Sequence, residues 1–241
     1  MKSRRLTETD IANMSFQPAE VKRKKLVGIA KPKPISGSYE PFRSSAGDAV
    51  NQQFPFLGEE RSATSLDVLE RVVAKSCRGD SLLLSMNLNV ARATHKFASE
   101  AELTAERADI RSIALAFGHS YQFGLPLIMR HAGAAYAVFP DLRRTTPLSA
   151  TGCRFIFSAM HQRWRVNYPD LADMGLSIWR YANNDARDVR EIRCNNADLI
   201  SYDALLNDVK QTYDILHSVL NEDENNRRHI VNEPGPLFAV R

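Results

Sequence analysis

From Thr64 onward the apolar positions fall at helical spacing. Leu69, Val72 and Val73 form a stripe, with Thr64 and Asp67 as start signals. The next apolar stretch, Leu82 to Phe97, opens on three leucines that would also suit a buried strand, but its length favours a helix. Ser99 followed by Glu102 makes a capping-box pattern. It predicts a third helix with Leu103, Ile110, Ile113, Ala114 and Phe117 on one face, ending at Gly118.

The periodicity then changes. Leu125 to Arg130 and Tyr136 to Phe139 are short β-suited runs around Ala132-Gly133-Ala134, which reads as two strands joined by a tight turn. Pro147 and Ser149 lead into a helix with Cys153, Ile156, Met160 and Trp164 on one side. The same order returns in Leu176 to Tyr181, a turn at Asn183-Asn184-Asp185, and Val189 to Cys194. Ser201 then caps a helix carrying Leu206, Val209, Tyr213, Leu216 and Leu220. Each unit opens on a similar tetrad, Gly124-Leu125-x-Leu127 and Gly175-Leu176-x-Ile178. The expected fold is therefore α+β: N-terminal helices, then two ββα units forming a mainly antiparallel four-stranded sheet with helices on one face.

Residues 1–62 lack sustained periodicity and carry Pro18, Pro32, Pro34, Pro41 and Pro55. With little apolar surface to offset the entropy of ordering them, they are expected to form a flexible basic arm. Residues 63–220 would be the single globular domain and 221–241, polar and then Pro-Gly-rich, a flexible C-terminal tail. Tyr39, Phe42, Phe54 and Phe56 stand out in the arm, because aromatics spaced along a flexible segment often plug grooves on a neighbouring surface.

Charge adds one feature. The net +4 is modest, but Lys22, Arg23, Lys24, Lys25, Lys31 and Lys33 lie together with no acid among them, a run that attracts phosphates or acidic surfaces. The remaining composition is that of a soluble globular protein. No run approaches a membrane helix, no apolar region follows the basic start as in a secretory signal, and three scattered cysteines suit a reduced compartment. A cytoplasmic protein that does not engage membranes is the expectation.

Candidate chemistry is sparse. Arg143 and Arg144 lie between a predicted strand and a predicted helix start, where guanidinium forks, free N–H groups and the helix dipole together suit a phosphate. Ser120 in Gly118-His119-Ser120-Tyr121-Gln122 resembles an esterase elbow but lacks its last glycine and stands between the wrong elements. Asp141, Asp170, Asp173 and Glu191 could ring a divalent cation only by converging from strand ends. His161 to Arg165 could stack on bases, although Trp164 continues the apolar face of its helix. Neither phosphate-binding nor dinucleotide glycine motifs occur, nor paired histidine spacing, so no cofactor and no metal are expected.

Together these features point first to a non-catalytic protein that binds nucleic acid, or another phosphate-rich or acidic partner, through the lysine-rich arm and the Arg143–Arg144 loop. Two further readings remain. One is an adaptor or structural subunit of a multi-subunit assembly, docking through the aromatics of its arm and its apolar C-terminus. The other is a metal-dependent phosphodiesterase or nuclease.

Overall fold

In the computed structural model, which describes residues 5–30, 38–54 and 62–232, the two predicted hairpins form one end of a larger sheet. Strands β5 (Leu127–His131) and β6 (Ala134–Asp141) pair antiparallel across a turn in which Ala132 and Gly133 both take positive φ. That is the backbone a two-residue turn between twisted strands requires. Strands β7 (Gly175–Tyr181) and β8 (Val189–Arg193) pair likewise. The hairpins join through a parallel β6–β7 contact, with Phe139 opposite Ile178. A parallel neighbour needs a crossover, and the helix α6 (Ala150–Met160) supplies it.

Two more strands extend the sheet beyond β5. Strand β2 (Thr104–Arg107) pairs antiparallel with β5, and β1 (Gln52–Gln53) pairs parallel with β2 at the edge. The sheet is thus six-stranded and mixed, in the order β1-β2-β5-β6-β7-β8, and not the four-stranded, mainly antiparallel sheet expected. A separate two-stranded ribbon pairs β3 (Ile113–Ala116) with β4 (His119–Tyr121).

Helices cover both faces, another departure. On one face Ala137, Phe139, Leu176 and Ile178 pack with α1 (Glu8–Met14), α2 (Ala19–Ala30), α6 and α7 (Tyr202–Asn232). On the other, Val138, Trp179, Tyr181 and Met129 pack with α3 (Glu40–Ala49), α4 (Leu66–Ser76) and α5 (Ser81–Glu100). The cue was in the strands. Apolar residues run almost continuously along β6 and β7, the pattern of strands buried on both sides, where one solvated face would have shown alternation.

The expected flexible arm contains α1, α2 and α3, whose Ile11, Leu26 and Phe42 are fully buried. Short amphipathic helices look aperiodic in sequence because few residues report each face; their stability comes from the surface they cover. The helix expected from Ser99 is absent. Ser99 and Glu102 instead close α5: Glu102 N–H donates to Ser99 O (3.3 Å) and Leu103 N–H to Ala98 O (2.8 Å), with Glu102 at φ +48°. This is a C-terminal motif in which glutamate stands where glycine is usual. The freed residues form β2 and β3.

The two tetrad glycines serve different needs. Gly124 has φ +103°, and a Cβ there would lie 2.9 Å from the Val138 carbonyl oxygen. Gly175 sits opposite Tyr136 in the parallel ladder, where a Cβ would meet the tyrosine Cβ at 3.0 Å.

Candidate functional site

The lysine-rich run lies largely on α2, and the fold takes up part of it. Lys22 is fully buried, its ammonium 2.6 Å from Asp208 Oδ1 on α7 and also donating to Asp208 O (3.3 Å) and Gln211 Oε1 (3.2 Å). Arg23 pairs with Glu222, and Lys25 donates to Asn13 O (3.1 Å). Lys24 is exposed. Lys31 and Lys33 lie outside the described residues. Apart from Lys24, the described cations of this run fasten α2 to neighbouring elements.

The Arg143–Arg144 loop is tied down in the same way. Arg143 reaches α1, with one nitrogen 2.7 Å from Asp10 Oδ1 and another donating to Thr7 Oγ1 (2.8 Å). Arg144 donates to Asn184 O (3.2 Å) and Asp185 Oδ1 (3.1 Å) at the β7–β8 turn. Asn13 covers the start of α6, donating to Thr146 O and Pro147 O and accepting from Ser149 N–H at 2.9 Å. The Ser149 hydroxyl accepts from Gly152 N–H (3.0 Å). The donors imagined for a phosphate therefore serve α1, α6 and the β7–β8 turn.

Burial pushes the Asp10 carboxyl up, but the Arg143 guanidinium and Thr7 outweigh it and hold the group below the usual aspartate range. A depressed acid stabilises the fold above its unfolded pKa and loses that contribution as pH falls through the folded one. Acid titration of stability should accordingly show a descending step below the ordinary aspartate range, and Asp10→Asn should flatten it in urea melts taken across that range. An unchanged step in the variant would assign it to other carboxylates.

The remaining candidates do not assemble into chemistry. Asp141 is fully buried, its Oδ2 accepting from Leu148 N–H (2.8 Å) and Arg180 Nε (3.3 Å); burial raises its pKa. Glu191 accepts from the Ser177 hydroxyl and from Arg193, while Asp170 and Asp173 are exposed. Among the described residues no group of three or more His, Cys, Asp and Glu side chains could hold a metal. Ser120 is exposed on β4, and His119 beside it stacks on Tyr213 at 4.9 Å. Trp164 is buried and donates to Phe123 O (3.1 Å), so it offers no platform for a base.

A further surface feature is the β1 edge of the sheet. Asn51, at φ +52°, turns the chain into β1, and its carbonyl accepts from Ala105 N–H (3.3 Å). Gln53 donates back to Asn51 O (3.2 Å) and Oδ1 (2.9 Å), while the Gln52 side chain lies against Gly47 of α3, where a Cβ would collide with it. Phe54 follows, half-buried. Of the four aromatics singled out in the sequence, Phe42 is buried and Tyr39 packs against the same core; Phe54 remains at the surface edge, and Phe56 lies outside the described residues. Beside β1 a cleft of about 640 Å³ opens between α1, α3 and the sheet.

Comparison with known proteins points to a protein partner. The family of sliding clamp-binding bacterial toxins, SocB, matches residues 9–226. The chain belongs to that family. Over 230 residues, 95% of each chain, it is 25% identical to the DNA replication inhibitor toxin SocB of Caulobacter vibrioides (strain NA1000 / CB15N). No solved structure matches it.

Membership in the SocB family corrects the functional expectation. The family is defined by binding a protein, the sliding clamp, and this overturns both the nucleic-acid binder and the nuclease. The physical reason is that charge counted along the sequence does not show which cations the fold neutralises internally. Among the described residues no helix is long and apolar enough to cross a membrane.

Proposed function

We propose that this protein binds a bacterial sliding clamp and by doing so inhibits DNA replication in the cytoplasm. The observation that carries the reading is the family match across residues 9–226. By mass action, a clamp occupied by this chain is closed to replication proteins that need the same surface.

The docking element we favour begins at Gln52. An edge strand of two residues is too short to add a stable strand to a partner's sheet, so recognition falls to side chains. Carboxamides followed by spaced aromatics can combine hydrogen bonding with anchors for a hydrophobic groove. In this reading the globular body holds Gln52, Gln53 and Phe54 at the sheet edge, which lowers the entropy lost on binding.

The test is surface-immobilised clamp titrated with wild-type protein and with Phe54→Ala/Phe56→Ala, alongside a clamp-dependent primer-extension reaction. Two aromatic anchors at about 2 kcal/mol each should make the loss of affinity on the order of 1,000-fold. Inhibition of extension should fall in parallel. A wild-type protein that does not bind the clamp at micromolar concentration would overturn the reading. A double variant that binds like the wild type would move the docking element elsewhere on the body.

A further inference from the structure

The cleft beside β1 has a chemistry that neither the family description nor the docking segment accounts for. Its wall carries Arg43 from the exposed side of α3 and Arg107 from the end of β2, with Ser112, Ser120 and Gln122 around them. Most arginines with described side chains are tied to acids or carbonyls: Arg92 to Glu70, Arg130 to Glu106, Arg143 to Asp10, Arg144 to Asp185, and Arg163 to three carbonyl oxygens. Arg43 and Arg107 have neither an ion pair nor a side-chain hydrogen bond among the described residues. Arg5 also lines the cleft, but Glu8 lies 3.6 Å from it and its guanidinium sits over the Tyr121 ring at 4.8 Å. Glu40 is the other acid in the lining.

We infer that this cleft is a second contact to the sliding clamp and receives an acidic segment of that protein. The inference rests on the proposed clamp binding. Two observations support it: the two guanidinium groups without a described ion pair, which can take up carboxylates, and continuity, since Gln52 lines the cleft and also begins the docking segment. The lining favours a peptide over a nucleotide, because its aromatic residue, Phe139, is buried and leaves no ring face for a base. Gln122 and the serines can hydrogen-bond the main chain of an extended peptide, while two arginines from different elements fix its carboxylates in register. The aromatic segment would then supply residence time and the cleft would supply approach rate and orientation.

The experiment measures association and dissociation of full-length protein on immobilised clamp at low and physiological salt. It compares wild type, Arg43→Glu/Arg107→Glu, and Arg190→Glu on the opposite sheet edge as a control. Thermal melts establish that each variant is folded; both cleft arginines are exposed and make no described side-chain hydrogen bond or ion pair, so folding should be retained. The cleft variant should bind about tenfold or more weakly at low salt, mostly through slower association, and its salt dependence should flatten. Arg190→Glu should match wild type. A cleft variant with wild-type rates at both salt concentrations would overturn the cleft contact while leaving clamp binding intact. Equal loss in the Arg190→Glu control would also overturn it, by showing that only overall charge matters. Absence of binding by the wild type would sink both this contact and the function on which it rests.

Discussion

Lys22→Ala is expected to lower the free energy of unfolding by about 3–5 kcal/mol, the cost of leaving a buried charge without its partner. The lysine is fully buried and Asp208 nearly so, with 0% and 7% of their side chains exposed. Three donor–acceptor contacts run from the ammonium to α7, and Asp208 Oδ1 also accepts from Phe16 N–H at 3.0 Å. This one carboxylate therefore joins α2, α7 and the turn after α1. Urea melts of Lys22→Ala and of Lys22→Met/Asp208→Leu separate the terms. The double variant should recover much of the loss, because it removes both charges, but should stay about 1 kcal/mol short for the orphaned Phe16 N–H. A loss below about 1 kcal/mol in the single variant would show that water reaches Asp208 and that the pair is not buried in solution.

Arg163→Met should cost about 3 kcal/mol or more, since a guanidinium bonded to carbonyls is exchanged for a side chain that cannot donate. Arg163 lies in the π-helical segment His161–Val166 that continues α6, where the wider turn redirects side chains. It is 1% exposed and donates to Arg111 O (3.0 Å), Phe123 O (2.8 Å) and Ile110 O (2.9 Å). Burial pushes its pKa down to about 10, so it remains charged at neutral pH without a carboxylate partner. The Phe123 carbonyl keeps the Trp164 indole as a second donor, so the Ile110 and Arg111 carbonyls bear the loss. Chemical melts combined with amide exchange over residues 108–125 would check this, with exchange rising there first. If Arg163→Lys kept full stability, charge alone would suffice and the planar fork would be irrelevant.

Element type in the second half was legible because long apolar faces and turn chemistry are local. Both hairpins form as expected, with β5 and β6 around Ala132-Gly133, and Ser201 caps α7 by accepting from Ala204 N–H at 3.3 Å. The capping-box reading of Ser99 and Glu102 failed because the same two residue types can close one helix or open another. What decides is the left-handed turn at Glu102 and the wait of Thr104–Arg107 for a strand partner 20 or more positions away. The candidate site was legible only in part. Phe54 and Phe56 stood out as aromatics in an apparently aperiodic arm, but nothing in the sequence told Phe42, which is buried, from Phe54, which is not.

The sequence by itself determined the two hairpins, the helices that follow them and the absence of any motif that specifies a reaction, since each depends on neighbours within a few turns or a short loop. Tertiary structure decided the parallel joining of β6 to β7, the second layer of helices and the state of each cation. A lysine's charge is the same everywhere in a sequence, but its availability depends on whether a distant carboxylate is brought within hydrogen-bond reach. Asp208 meets Lys22, whereas no acid with a described side chain meets Arg43 or Arg107.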